Sequence, residues 1–190
     1  VTPYYNKCSR RGLIEHFTVC AASVKIPVIL YSVPSRTGMN IAPDVCAELA
    51  DVDNIAGIKE ASGNIAQVAE ISRVTRGKDF DIWSGNDDMI VPLMSVGGKG
   101  VISTVANVAP KAVHDMCASF LAGDTARAEQ LQLDLKPLID AVFCEVNPIP
   151  IKAAAHLMGM CEYEYRLPLC PLADENFAML KACMDGYGLV

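Results

Sequence analysis

The sequence IAGIKEASGNIAQVAEISRVT, residues 55–75, contains two hydrophobic patterns in succession. Residues 55–61 form a short apolar run of the kind found in buried strands. The apolar residues that follow recur at three-residue spacing, as on one face of a helix: Ile65, Val68, Ile71 and Val74. The stretch therefore predicts one strand followed by one helix, which is the repeating unit of folds built on a parallel sheet.

The same alternation extends to both sides of this stretch. Further strands are predicted at residues 28–33, 80–84 and 100–106, and VTPYY at residues 1–5 resembles the tail of a fifth strand. Helices are predicted at residues 9–24, 43–52, 64–75, 87–98 and 110–123. Strands and helices that alternate with short connections indicate a parallel sheet with right-handed crossovers.

Such a parallel sheet can belong to either of two architectures, an open doubly wound sheet or a closed barrel. A dinucleotide-binding sheet should carry G-x-G-x-x-G at its first strand-helix turn, and this sequence has none. A complete (β/α)8 barrel needs about 250 residues. We therefore expect an α/β fold, the C-terminal part of a (β/α)8 TIM barrel with about strands 4–8.

Beyond Gly123 the pattern predicts helices only. These helices are expected at residues 125–143, 147–159 and 174–188. We predict two domains, with residues 1–122 forming the C-terminal part of the barrel and residues 123–190 forming a C-terminal helical domain.

The overall composition excludes several classes of function. The net charge of −6 and the pI near 5.0 argue against nucleic acid as a partner. No apolar run reaches the roughly 20 residues that a membrane helix needs, so no membrane is expected as a partner. The eight cysteines form no C-x-x-C pair and the three histidines lie far apart, which predicts no metal site. We interpret the cysteines as reduced thiols of a cytoplasmic protein.

A lysine at the centre of a buried strand is unusual and suggests chemistry. Because side chains alternate along a strand, Lys59 shares its face with Gly57 and Ala61, which are small enough to leave room for a small molecule. An ammonium group without a partner is costly to bury, so the amine should tend towards its neutral form. A neutral amine can form a Schiff base with a ketone. The alternative is a lysine that is paired with a carboxylate inside the barrel.

Other polar residues follow the ends of predicted strands, where barrel enzymes carry their active sites. Tyr31 could relay protons to a Schiff-base carbon, or could serve packing alone. Arg36, in a loop shaped by Pro34 and Gly38, could bind a carboxylate or could form a surface ion pair. Of the adjacent Tyr4 and Tyr5, at most one can face the mouth of the barrel.

Six stretches together resemble the dihydrodipicolinate synthase family of the pyruvate-dependent class I aldolase and lyase superfamily. They occur in family order and cover nearly the whole chain: VTPYYNK, LYSVPSRTG, GIKEASGN, WSGND, GGKGVIST and NPIPIKAA. The resemblance implies condensation of pyruvate with L-aspartate 4-semialdehyde in lysine and diaminopimelate biosynthesis. It also implies a homotetramer, arranged as a dimer of tight dimers, that needs no cofactor.

The resemblance assigns a role to each catalytic candidate. Lys59 matches the lysine that forms the Schiff base with pyruvate, and Tyr31 matches the tyrosine that moves protons during imine formation and carbon–carbon bond formation. Tyr5 matches the tyrosine that completes the proton relay in the neighbouring subunit's site. Arg36 matches the arginine that binds the carboxylate of the aldehyde substrate.

Three further residues match positions with other roles. Ile102 and Gly85 match residues that line the pocket for pyruvate and substrate, and Tyr4 matches a residue near the site of the inhibitor lysine at the dimer interface. The family's Gly-Thr-Thr-Gly-Glu segment is absent from this chain, which is therefore not expected to be active by itself. The alternatives are N-acetylneuraminate lyase, a 2-keto-3-deoxy sugar acid aldolase, or a non-catalytic fragment or binder.

Overall fold

The computed structural model describes all residues from Val1 to Val190. Its helices are α1 (Arg10–Ala22), α2 (Pro34–Thr37), α3 (Pro43–Leu49), α4 (Ile65–Val74), α5 (Ile90–Ser95), α6 (Pro110–Leu121), α7 (Thr125–Val142), α8 (Ile149–Leu157) and α9 (Asp174–Gly186). Its strands are β1 (Val28–Ser32), β2 (Ile55–Glu60), β3 (Asp81–Ser84) and β4 (Gly100–Val101). Short 3-10 helices lie at Asp87–Met89 and Val105–Asn107. None of the helices is long and apolar enough to cross a membrane.

The strands form one sheet in the order β1-β2-β3-β4, and every neighbouring pair is parallel. A helical segment lies between each strand and the next, as crossover connections between parallel strands require. The carboxyl ends of all four strands therefore lie along one edge of the sheet. The predicted α/β alternation and parallel sheet are confirmed.

The hydrophobic core lies between one face of this sheet and the helices. Leu30, Ile58 and Ile82 come from successive strands and are at most 3% exposed. They belong to one cluster with buried residues of α1, α3 and α4, such as Phe17 and Ile71. Burying a side chain of this size stabilises the fold by about 1.5–3 kcal/mol, so the strands are held mainly by this face.

The unit of β2 and α4 shows how local sequence sets these boundaries. The side chain of Asn64 accepts hydrogen bonds from the backbone N–H groups of Ala66 and Gln67, which satisfies donors that the first helical turn leaves open. Only four residues therefore separate the end of β2 at Glu60 from the start of the helix at Ile65. This short connection places α4 directly behind the carboxyl end of β2.

Several sequence-based expectations about elements are wrong. Residues 1–5 form no strand, so the sheet has four strands rather than the five of strands 4–8. The strand predicted at residues 100–106 is only two residues long, because a turn and a 3-10 helix at Val105–Asn107 take over. The loop predicted around Arg36 contains α2, which Pro34 begins and the left-handed Gly38 ends.

The chain divides into two compact units, Val1–Ile102 and Ser103–Val190. This division precedes the boundary predicted after residue 122, because α6 packs against α7 within the second unit. In that unit α7 buries several apolar residues, including Ala128, Leu135 and Leu138. The assignment of residues 1–122 and 123–190 to barrel and helical domain stays a prediction.

Candidate active site

Lys59 and Tyr31 lie side by side at the carboxyl edge of the sheet. Each is the last residue but one of its strand, and the parallel pairing of β1 with β2 puts Tyr31 directly opposite Lys59. The Lys59 Nζ atom lies 4.5 Å from the centroid of the Tyr31 ring. Because strand pairing fixes both backbones, this closeness follows from the register of the sheet.

The surroundings of Lys59 favour an amine that loses its proton more easily than usual. Partial burial lowers the pKa of Lys59 and the charge of Arg36 lowers it further, whereas the charge of Asp87 raises it. The carboxylate that acts on Lys59 is the buried Asp87, and none of the ion pairs found between charged side chains includes Lys59. The amine is therefore available as a nucleophile.

The pKa of Tyr31 is shifted upwards, whereas that of Lys59 is shifted downwards. Burial raises the pKa of its phenol, and the nearby Arg36 lowers it to a smaller extent. Since burial has the larger effect, the phenol keeps its proton at neutral pH and can donate it. Arg36 itself is exposed on α2, and its charge acts on both Tyr31 and Lys59.

A pocket of about 330 Å³ lies beside this pair. Tyr4, Tyr31, Val33 and Arg36 are among the residues that line it. Lys59 is not one of them, and Tyr31 is the residue that belongs both to the pocket and to the contact with Lys59. The pocket is large enough for a small carboxylate.

The small residues beside Lys59 do not leave the space that the sequence suggests. A Cβ atom at Gly57 would lie only 2.8 Å from the Trp83 ring, so that ring occupies the space. A Cβ atom at Gly85 would lie 2.6 Å from the Cβ atom of Ala61 and 3.1 Å from Cε of Lys59. The neighbouring strand therefore occupies the space next to Gly57, whereas Lys59 and Ala61 remain partly exposed further along this face.

We expect Gly85→Ala to slow any reaction of the Lys59 amine by about tenfold or more, since small displacements of a reacting group are costly. The new methyl group would push against Lys59 Cε and the β2 backbone. The rate of covalent labelling of Lys59 by a small ketone and borohydride measures this effect. Gly186→Ala is the matched control, because a Cβ atom there would meet nothing within 4 Å. A normal labelling rate in Gly85→Ala would show that the close packing at Gly85 does not position Lys59.

The other predicted site residues, Tyr4, Tyr5 and Ile102, are exposed. Tyr5 is 92% exposed and has a left-handed backbone with φ of 68°. Tyr4 is 69% exposed but lines the pocket together with Tyr31. Ile102 follows β4, is 41% exposed and donates its N–H to the Ser84 carbonyl oxygen.

The sequence-based reasoning missed Asp87 as a site residue. Its side chain is 1% exposed in the segment that follows β3, and its charge opposes the loss of the Lys59 proton. The sequence feature that could have identified Asp87 is its position, three residues after the predicted strand at 80–84 ends. We find no cluster of three or more His, Cys, Asp or Glu side chains that could hold a metal ion.

A second pocket, of about 380 Å³, lies within the second unit. It is lined by Lys152 and Arg166 among others. Lys152 Nζ already donates to the Glu164 carbonyl oxygen at 2.6 Å and lies 4.9 Å from the centroid of the Tyr165 ring. This pocket therefore offers a satisfied lysine and lacks the paired amine and phenol of the first unit.

A nucleophilic amine beside a protonated phenol, at the carboxyl edge of a parallel sheet, suits an enzyme that works through an imine, as class I aldolases do. The model of the dihydrodipicolinate synthetase family matches residues 1–185. The chain is 56% identical over 190 residues to 4-hydroxy-tetrahydrodipicolinate synthase of Alkaliphilus oremlandii, covering 100% of this chain and 65% of that protein. The chain belongs to the dihydrodipicolinate synthetase family, as the sequence predicts.

Solved structures agree with this assignment. The dihydrodipicolinate synthase of Aquifex aeolicus matches with a TM-score of 0.96 and 41% identity, over 99% of this chain and 64% of that one. The chloride-inhibited enzyme of Acinetobacter baumannii, solved with pyruvate, matches with a TM-score of 0.94 and 39% identity, over 99% and 64%. These neighbours identify the (β/α)8 barrel as the fold to which the parallel sheet belongs.

The chain spans about 65% of the length of the curated relatives that it matches. The prediction that it is the C-terminal part of the enzyme is not borne out by these comparisons, because a covered share gives a length and no position.

Proposed function

We propose that the whole protein, meaning this chain with any further sequence that its gene encodes, condenses pyruvate with L-aspartate 4-semialdehyde. The product would be 4-hydroxy-tetrahydrodipicolinate, a precursor in lysine and diaminopimelate biosynthesis. The observation that carries the proposal is the Lys59 amine, which has a lowered pKa, no ion pair and a tyrosine ring 4.5 Å away. The curated relatives' name and the pyruvate in the Acinetobacter baumannii structure support it.

Lys59 would act first as a nucleophile. Its neutral amine attacks the keto carbon of pyruvate, and loss of water from the adduct leaves a protonated imine. The imine withdraws electrons from the neighbouring methyl group, which loses a proton and gives an enamine. The enamine carbon attacks the aldehyde of the second substrate and forms the carbon–carbon bond. The amino group of that substrate then attacks the imine carbon, closes the ring and releases Lys59.

Tyr31 would supply and accept the protons of these steps. Its phenol is protonated at neutral pH, as in an ordinary tyrosine, and burial raises its pKa further. It can therefore protonate the oxygen that leaves as water and, as a phenolate, accept a proton in a later step. Arg36 would bind the carboxylate of the aldehyde substrate from α2, since it lines the same pocket as Tyr31.

The other candidates would complete the site in the assembled protein. Tyr5, which is 92% exposed, would reach the proton relay of a neighbouring subunit in a homotetramer built from tight dimers. Tyr4 would lie near an inhibitor site at the dimer interface. Gly85 and Ile102 would border the bound pyruvate. We place the protein in the cytoplasm, with no nucleic acid or membrane as partner.

Borohydride trapping with pyruvate tests the imine, and a coupled assay tests the substrates. We expect pyruvate and borohydride to add covalent mass at Lys59, and we expect turnover with aspartate semialdehyde. A protein that only binds carboxylates would gain no mass. Faster cleavage of sialic acid, or of a 2-keto-3-deoxy sugar acid, would instead assign the protein to another branch of the superfamily, in which Lys59 and Tyr31 would serve equally well.

The charges around Lys59 predict opposite pH effects for two variants. Imine formation needs the neutral amine, so its rate should rise with pH and level off above the pKa of Lys59. Arg36→Gln removes a charge that lowers this pKa, so the rising limb should move to higher pH. Asp87→Asn removes a charge that raises it, so the limb should move to lower pH. The rate of trapping with pyruvate alone, measured across the alkaline range, checks both directions.

Two control variants separate charge from shape. Arg36→Lys keeps the positive charge and should leave the rising limb in place. Asp88→Asn makes the same change at the neighbouring exposed carboxylate and should have little effect. If Arg36→Gln and Asp87→Asn shift the limb in the same direction, these charges do not set the pKa of Lys59.

A further inference from the structure

The carboxylate of Glu60 is buried next to the proposed nucleophile but on the opposite face of β2. Glu60 is 2% exposed, and neither an arginine nor a lysine forms an ion pair with it. Burial raises its pKa, while hydrogen bonds from Ser62 and Gln67 lower it. A buried acid without a counter-charge is expensive to keep, which calls for a reason.

The hydrogen bonds of Glu60 explain how it is accommodated. The Ser62 N–H lies 3.2 Å from each of its two carboxylate oxygens. Gln67, on the first turn of α4, donates its Nε2–H to Glu60 Oε1 at 2.9 Å. The carboxylate thus holds together the end of β2, the turn that follows it and the start of α4.

The same network continues to the end of β1. Gln67 and Asn40 form a reciprocal amide pair, in which Gln67 Nε2 donates to Asn40 Oδ1 at 3.0 Å and Asn40 Nδ2 donates to Gln67 Oε1 at 2.6 Å. The buried Ser32 donates its hydroxyl to Asn40 Oδ1 at 3.1 Å and accepts the Ile41 N–H at 3.1 Å. A chain of side chains therefore connects Glu60 with Ser32.

The two ends of this chain are the immediate neighbours of the two proposed catalytic residues. Strand register puts Ser32 opposite Glu60, one step after the pair of Tyr31 and Lys59. Because side chains alternate, Ser32 and Glu60 face the helices, whereas Tyr31 and Lys59 point to the other side of the sheet. Any shift of β1 against β2 would move both pairs together.

We propose that Glu60 is a positioning residue, which acts with Gln67, Asn40 and Ser32 to hold Lys59 and Tyr31 at their working separation. This inference rests on the proposed imine chemistry of Lys59. A carboxylate suits the task because both of its oxygens accept, whereas an amide at residue 60 would turn an NH2 group towards a donor. Its place behind the sheet means that it touches neither substrate nor reacting atoms.

Glu60→Gln in the whole protein tests this role. We expect the maximal rate of borohydride-trapped imine formation to fall about tenfold, because small misplacements of reacting groups are costly. The pyruvate concentration for half-maximal rate and the final trapped fraction should stay unchanged, since the pocket and the amine remain. A merely structural defect would instead lower the trapped fraction by reducing the amount of folded protein.

A rescue variant and a control sharpen the result. The exchange Glu60→Gln with Gln67→Glu restores a matched donor and acceptor between the two positions but removes the donor to Asn40 Oδ1, so it should recover part of the lost rate. Glu70→Gln makes the same change at an exposed carboxylate of α4 and should leave the rate unaltered. If Glu60→Gln is too unstable to study, Gln67→Met removes the link from the α4 side and should slow imine formation by a few fold.

The outcomes separate the two proposals. A Glu60→Gln rate within about twofold of the parent, or a rate defect that the exchange does not relieve, contradicts the positioning role. Absence of any adduct in the parent protein contradicts the proposed function itself.

Discussion

We expect Lys59→Arg to abolish covalent trapping of pyruvate in the whole protein. The substitution keeps a positive charge, but a guanidinium group stays protonated and offers no nucleophilic lone pair. Synthase turnover should therefore fall to background, a loss of about 10⁶-fold or more if the imine carries the reaction. Mass spectrometry after borohydride reduction measures the adduct, and the coupled assay measures the turnover.

Folding should survive this change. Lys59 is half-buried and forms no ion pair, so the arginine can reach solvent past the Tyr31 ring, and its guanidinium can stack on that ring. We expect a loss of about 1 kcal/mol or less in the free energy of unfolding. Lys99→Arg, at an exposed lysine ahead of β4, is the control and should keep full trapping. A Lys59→Arg protein that still traps pyruvate would assign the imine to another lysine.

The sequence was sufficient for the alternation of strands and helices and for the pairing of Lys59 with Tyr31. Hydrophobic period is a local property, so residues 55–75 predict β2 and α4 without further information. Lys59 and Tyr31 meet because both are the last residue but one of adjacent parallel strands. Residues with such a place are brought together by the sheet alone.

The features that could not be predicted from the sequence depend on how distant segments of the chain pack together. The gap expected beside Gly57 is filled by Trp83 from the next strand, and the size of a neighbour across the sheet cannot be read from one strand. The influence of Asp87 on Lys59 needs the turn after β3 to fold back towards β2. The division at Ile102 reflects packing of α6 on α7, whereas the boundary near residue 122 came from a change in local pattern.

Glu60 shows a related limit. Alternation along β2 puts it on the same face as Ile58, and that face is buried against the helices. Its partners Gln67 and Asn40 come from α4 and from the segment after α2, so no spacing in the sequence connects the three. A buried charge of this kind is identified only when the tertiary structure shows which donors reach it.

Tyr31→Phe is expected to slow turnover by about 10²–10⁴-fold, the usual contribution of a general acid or base. The ring remains, so the packing against Lys59 at 4.5 Å should survive, and only the proton donor is lost. Both imine formation and the complete reaction need that proton, so single-turnover trapping and steady-state turnover should fall together. The pyruvate concentration for half-maximal rate should change little.

Tyr165→Phe provides the control, because it removes a phenol with a similar environment but no proposed role. Burial raises the pKa of Tyr165 to about 12, and its hydroxyl donates to the Ile149 carbonyl oxygen at 2.9 Å. Loss of that hydrogen bond should reduce the free energy of unfolding by about 1 kcal/mol while turnover stays normal. If Tyr31→Phe instead behaves like Tyr165→Phe, with a stability loss and an unchanged rate, then the phenol of Tyr31 serves packing and the proton relay must use another group.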